Sequence, residues 1–145
     1  MPKTLLIKNG HVIDPAQNMD EKADILIEDG KIKKIGKNLA APAKTKTIDA
    51  KGKIVSPGFI DMHVHLREPG REDKETIHTA SRAAAKGGIT TVVGMPNTTP
   101  IADNQTVIEF ILSKAKKESL VNIQACGAIT KGEKGQEIAE IWEMK

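Results

Sequence analysis

Two histidines one residue apart, His63 and His65, sit in the stretch Gly58 to Gly70. Read as a β-strand of period two, this stretch sorts its side chains onto two faces. Ile60, Met62, Val64 and Leu66 fall on one. Asp61, His63, His65 and Arg67 fall on the other. Imidazoles at i and i+2 on one strand face can aim at a single point, which is what a divalent metal requires of two ligands. Arg67, one step further, brings a planar cationic fork suited to holding a carboxylate. A polar strand face is more often the solvated side of an antiparallel sheet. Here the downstream segments alternate helix and strand, and the buried strands of such parallel sheets give a row of Asp, His, His and Arg a cleft to line.

The elements that must position these residues follow from periodicity and punctuation. A helix is predicted over about 73–86, with Ile77, Ala80, Ser81 and Ala84 on its buried stripe, Glu72 and Asp73 at its start and Gly87-Gly88 as its stop. The β-branched run 89–93 reads as a second buried strand. Asn97 lies in the loop after it, on the rim where parallel α/β folds carry their binding groups. A helix over 105–117 capped by Asn104, a strand over 120–129 and a third helix over 137–144 complete the pattern. His78 reads as a surface residue of the first helix.

The first third is different in kind. Residues 4–55 read as short strands in a small antiparallel sheet, with tight hairpins at Asn9-Gly10 and Asp29-Gly30. Lys37 to Lys46 is a connector, and His11 is an edge residue. So small a sheet cannot bury enough surface to stand alone. About 90 residues follow residue 55, against about 250 for a complete (β/α)8 barrel. The chain is expected to stop inside a larger fold.

Composition narrows the classes. Of 145 residues, 39% are hydrophobic and 28% charged, as in a globular chain, and the net charge of +3 is spread along it. No dense basic block or basic–aromatic interleaving supports nucleic-acid binding. Cys126 is the single cysteine, so no intrachain disulfide forms, and it reads as a small buried side chain. No apolar run reaches membrane-spanning length or resembles a signal sequence. The expectation is a soluble, cytoplasmic protein without membrane partners.

The segment 57–67, Pro-Gly-Phe-Ile-Asp-Met-His-Val-His-Leu-Arg, continued by Glu-Pro-Gly-Arg-Glu-Asp at 68–73, resembles the first signature of the metal-dependent amidohydrolases. Within that superfamily it is similar to the dihydroorotase family of the longer, bacterial type. Gly87-Gly88-Ile-Thr-Thr, Met95-Pro-Asn-Thr-Thr-Pro and Ile129-Thr-Lys-Gly extend the likeness along the chain, over about the first third of the family's pattern.

The resemblance implies an α/β fold: an incomplete (β/α)8 TIM barrel over 56–145, holding three strand–helix units, preceded by part of a small β-sandwich domain over 1–55. It implies two Zn2+ per complete site, with His63 and His65 as ligands of the more buried ion. His65, Leu66, Arg67 and Asn97 would contact the substrate, with Arg67 and Asn97 on its carboxylate. The implied reaction is the reversible conversion of dihydroorotate to N-carbamoyl-L-aspartate in pyrimidine synthesis. A bridging Asp, two further His ligands and the general acid/base Asp are expected beyond residue 145, so the chain alone is expected to be inactive. Partners implied are the small-molecule substrate and either a homodimer mate or a carbamoyltransferase. Allantoinase-like and hydantoinase-like relatives lack Arg67, which makes it the residue that separates their substrates from dihydroorotate. The alternatives are such a cyclic amidohydrolase, or a non-catalytic structural partner, although inert members of that kind typically lose the His-x-His pair that this chain keeps.

Overall fold

The structure, a computed structural model, describes residues 4–145 and divides into two compact units, Met1–Pro57 and Gly58–Lys145. In the first unit, β1 (Thr4–Asp14) pairs antiparallel with β2 (Met19–Glu28), and β2 with β3 (Lys31–Gly36). Two further strands, β4 (Lys46–Asp49) and β5 (Ile54–Val55), run parallel to β1. The sheet is therefore mixed, where an antiparallel one was expected. Val12, Ala23 and Ile25 form its small core.

Asp29-Gly30 turns β2 into β3 as expected, both residues having positive φ (49° and 78°). Asn9-Gly10 does not turn the chain. Asn9 takes a left-handed conformation (φ 61°) inside a continuous β1, and the register to β2 slips there by one residue, making a bulge. The reason is tertiary. The Asn9 N–H donates to Oδ1 of Asp24 at 2.8 Å, and its side-chain amide donates to Oδ1 of Asp49 at 2.9 Å. The β1–β2 reversal falls instead at Pro15–Gln17, where Asp14 accepts the Ala16 N–H at 3.0 Å.

The second unit alternates β6 (Phe59–Val64), α1 (Ile77–Lys86), β7 (Ile89–Gly94), α2 (Gln105–Glu118) and β8 (Asn122–Ala125). The three strands form a parallel sheet in the order β6-β7-β8. Leu66, Ile77, Ala84, Val92, Val107, Ile108, Ile111, Ala115 and Ile123 make one core between the helices and the sheet. The buried residues of α2 are the four its period anticipates (Val107, Ile108, Ile111, Ala115), and Asn104 caps it by accepting the Val107 N–H at 3.2 Å. Helix α1 begins at Ile77, later than expected. Its cap is Thr76, in a reciprocal box with Thr79, and Glu72 and Asp73 remain in the loop before it.

The expected third helix over 137–144 is absent. Lys131–Glu133 forms a 3-10 turn, Thr130 bridges to Ile138, and residues 141–144 form a turn. Trp142 is 87% exposed, with Ile138 and Ile141 also at the surface. So short a helix is marginal without a face to pack on, and these side chains meet none here. The unit thus holds two strand–helix pairs and a third strand, not three pairs. Among the described residues, no helix is long and apolar enough to cross a membrane.

Candidate functional site

Strand β6 carries His63 and leads into His65, but without the even alternation expected. Its pairing with β7 passes from Asp61 opposite Val92 to Val64 opposite Gly94, so Met62 and His63 together face the single residue Val93. That is a bulge, and Oδ1 of Asp61 accepts the His63 N–H across it at 3.0 Å. The extra residue breaks the period of two. Asp61 lines a hollow beside α1 with Val64, His65, Ala80 and Ala84, whereas Met62 is 74% exposed and His63 is also exposed. Asp61 therefore does not share a simple face with His63. The strand ends at Val64, whose carbonyl accepts the Met95 N–H at 2.8 Å, so His65 and Arg67 lie in the loop beyond.

The two imidazoles nonetheless meet. Their ring centres are 5.3 Å apart and the ring planes stand at 72°. Two imidazoles sharing one tetrahedral ion through metal–nitrogen bonds of about 2.0–2.1 Å hold their centres about 5 Å apart. Nδ1 of His65 lies 2.9 Å from the side-chain carbonyl oxygen of Asn97. With Nδ1–H as donor, Nε2 keeps its lone pair, the tautomer a metal ligand needs. The pair thus fits a metal. Among the described residues, no cluster of three or more His, Cys, Asp or Glu suited to an ion is present.

Beyond His65 the chain is held tightly. Leu66 is 1% exposed and packs on Gly94, where an added Cβ would lie 2.5 Å from its Cδ1. Arg67 is left-handed (φ 64°), and its carbonyl accepts the Arg71 N–H at 2.9 Å. Glu68, 2% exposed, accepts the Ile77 N–H at 2.8 Å through Oε2 and pairs with Nζ of Lys114 at 2.6 Å through Oε1. That bond to Glu68 holds the Lys114 ammonium above its usual pKa. The ion pairs of this loop belong to Lys114 with Glu68 and to Arg71 with Asp73, not to Arg67.

The loops after β6 and β7 are locked together. The Thr99 N–H donates to the Pro69 carbonyl at 2.9 Å. Gly70 (φ 96°) lies against Thr99 so closely that any Cβ there would collide with it. The loop bearing Asn97 is thereby fixed to the one bearing Arg67. Glu68 and Lys114 escaped the sequence reading. A carboxylate in a loop and a lysine on a helix 46 positions later have no spacing signal to link them. Of the other two histidines, His11 pairs with Asp20 and His78 with the Glu118 carbonyl.

The dihydro-orotase-like family model matches residues 52–145. The chain belongs to that family. It is 57% identical over 141 residues to dihydroorotase of Geobacter sulfurreducens and 55% identical to that of Aquifex aeolicus, in each case over 97% of this chain and 33% of the relative. The chain thus spans about a third of the length of the curated relatives it matches. Among solved structures, L-hydantoinase (dihydropyrimidinase) from Arthrobacter aurescens is similar with a TM-score of 0.79 and 30% identity, over 87% of this chain and 28% of that one. N-acyl-D-glutamate deacylase from Bordetella bronchiseptica, solved with zinc and a phosphonate inhibitor, is similar with a TM-score of 0.61 and 26% identity, over 85% and 29%. The family is the one that the segment 57–67 resembles.

Proposed function

We propose that this chain supplies the opening part of a zinc-dependent cyclic amide hydrolase that interconverts dihydroorotate and N-carbamoyl-L-aspartate in the cytoplasm. In this reading, residues 56–145 begin a (β/α)8 barrel and residues 1–55 belong to a flanking β-sandwich. The observation that carries it is the close, edge-on His63–His65 pair with Asn97 on Nδ1 of His65, next to an Arg67 that the loop's ion pairs leave unclaimed.

His63 and His65 would hold one ion of a zinc pair. Zinc supplies a polarised amide carbonyl and a water acidic enough to attack it at neutral pH. Asn97 orients the His65 ring and keeps its proton on Nδ1. Arg67, with Asn97's free amide hydrogens, holds the substrate carboxylate, and His65 and Leu66 place the backbone beside the ring. Hydrolysis adds water across the ring C–N bond: oxygen goes to the carbonyl carbon, and a proton goes to the departing nitrogen. The group that carries this proton lies outside these 145 residues, so the chain by itself is inactive in this reading.

The likeness to L-hydantoinase favours one second reading, a hydrolase of hydantoin-type rings. Joining residues 1–145 to the remaining two-thirds of the Geobacter sulfurreducens relative gives a full-length chimera for assay. Turnover of dihydroorotate with little of hydantoin supports the first reading, and the reverse supports the second. Zinc-free, inert chimera would point to a structural role.

A further inference from the structure

We infer that the buried Glu68–Lys114 pair is a positioning device for Arg67, and through it tunes recognition of the substrate carboxylate. This rests on the reading of Arg67 given above. Arg67 adopts a left-handed backbone (φ 64°), which a long side chain rarely takes and which persists only where its neighbours over-determine it. The neighbours do so here. Leu66 on one side and Glu68 on the other are buried to 1% and 2% exposure, so the backbone that carries the half-buried Arg67 is anchored on both sides.

Leu66 is held by packing on Gly94, but Glu68 is held by chemistry. Its two oxygens are used separately, one on the first N–H of α1 and one on the ammonium of Lys114 from α2. A buried carboxylate with both oxygens engaged is fixed in place, and removal of either partner leaves charge uncompensated. The loop thus takes its reference from both helices at once. Lys114 also reaches Glu118 one turn on, at 3.7 Å, which fixes the ammonium from its own helix. Apolar residues would pack this junction with less risk, so the ionic pair suits a demand for direction more than for stability.

The test uses the full-length chimera with E68Q, K114M and K114R, beside R67A and the core control I108V. Steady-state kinetics on dihydroorotate, zinc content and melting temperature are measured for each. E68Q keeps the volume and an acceptor for the Ile77 N–H while losing the charge. The expected result is a KM about tenfold higher for E68Q and K114M, with kcat within about threefold, full zinc content and rescue by K114R. I108V lowers the melting temperature without moving KM. Should E68Q fail to fold, K114M and its rescue by K114R carry the same comparison. R67A raising KM while K114M and E68Q leave it unchanged overturns the inference alone, as does a loss confined to kcat and zinc content. R67A leaving KM unchanged overturns the carboxylate assignment itself, and the inference with it.

Discussion

The side-chain carbonyl of Asn97 lies 2.9 Å from Nδ1 of His65, joining the loop after β7 to the histidine just past the end of β6. A second partner of this sort fixes ring orientation and tautomer, and its loss typically lowers metal affinity by about 10–100-fold. N97A is therefore expected to weaken zinc binding by at least about tenfold in a chelator-competition titration, with the far-UV spectrum unchanged. Equal affinity in the two proteins would remove Asn97 from this role.

In the proposed function, substrate choice turns on Arg67. A charge-assisted hydrogen bond to a carboxylate contributes about 1.5–3 kcal/mol, or about 10–100-fold in binding. In the chimera, R67A should raise KM for dihydroorotate by that factor and leave a hydantoin lacking the carboxylate unaffected. Comparing the two substrates measures it, and equal losses on both would argue against carboxylate contact.

Gly94 gives way to no larger residue without moving Leu66. Its Cβ would sit 2.5 Å from Leu66 Cδ1, so G94A must displace the side chain that anchors the loop ahead of Arg67. Overpacking of this kind costs about 1–3 kcal/mol. Thermal unfolding should show that loss. A melting temperature equal to the parent's would mean that the Leu66 packing is loose.

The pH dependence of the second unit should carry the signature of Asp103. Its carboxylate accepts the Gly132 N–H at 2.7 Å and the Asn104 side-chain amide at 2.9 Å, and these bonds hold its pKa below the ordinary value. A depressed folded-state pKa contributes stability that is present above the unfolded value, about 3.9, and is lost as pH falls through the lower, folded one. D103A should be less stable by about 1 kcal/mol at neutral pH, the worth of one such bond. The gap should begin to narrow below about pH 4 and close only below the depressed folded-state value. Circular dichroism melts at pH 7 and pH 3 measure it, and a gap that does not depend on pH would contradict it.

Much of this fold was legible before any coordinates, and the exceptions share a cause. The stripe of α2 and the turn at Asp29-Gly30 are local, fixed by periodicity and by residues that accept positive φ. Asn9-Gly10 carries the same turn signal, yet Asp24 and Asp49, 15 and 40 positions away, hold it as a bulge. Ile138, Ile141 and Trp142 have helical spacing, but without a surface to pack on that spacing makes no helix. In the candidate site, the nearness of His63 to His65 follows from their spacing, whereas the contact of Asn97 with His65 was not anticipated. Nor were the bulge at Met62–His63 that separates Asp61 from His63 and the Glu68–Lys114 pair, because both depend on partners brought together only by folding.

The most direct measurement is 15N NMR of the histidine ring nitrogens in the 145-residue chain during zinc titration. The signals of His63 and His65 should move together, with Nδ1 of His65 remaining protonated toward Asn97 and with His11 and His78 unaffected. If the ion instead perturbs His11 beside Asp20 and leaves His63 and His65 unmoved, the paired imidazoles are not a metal site, and the hydrolase reading loses its foundation.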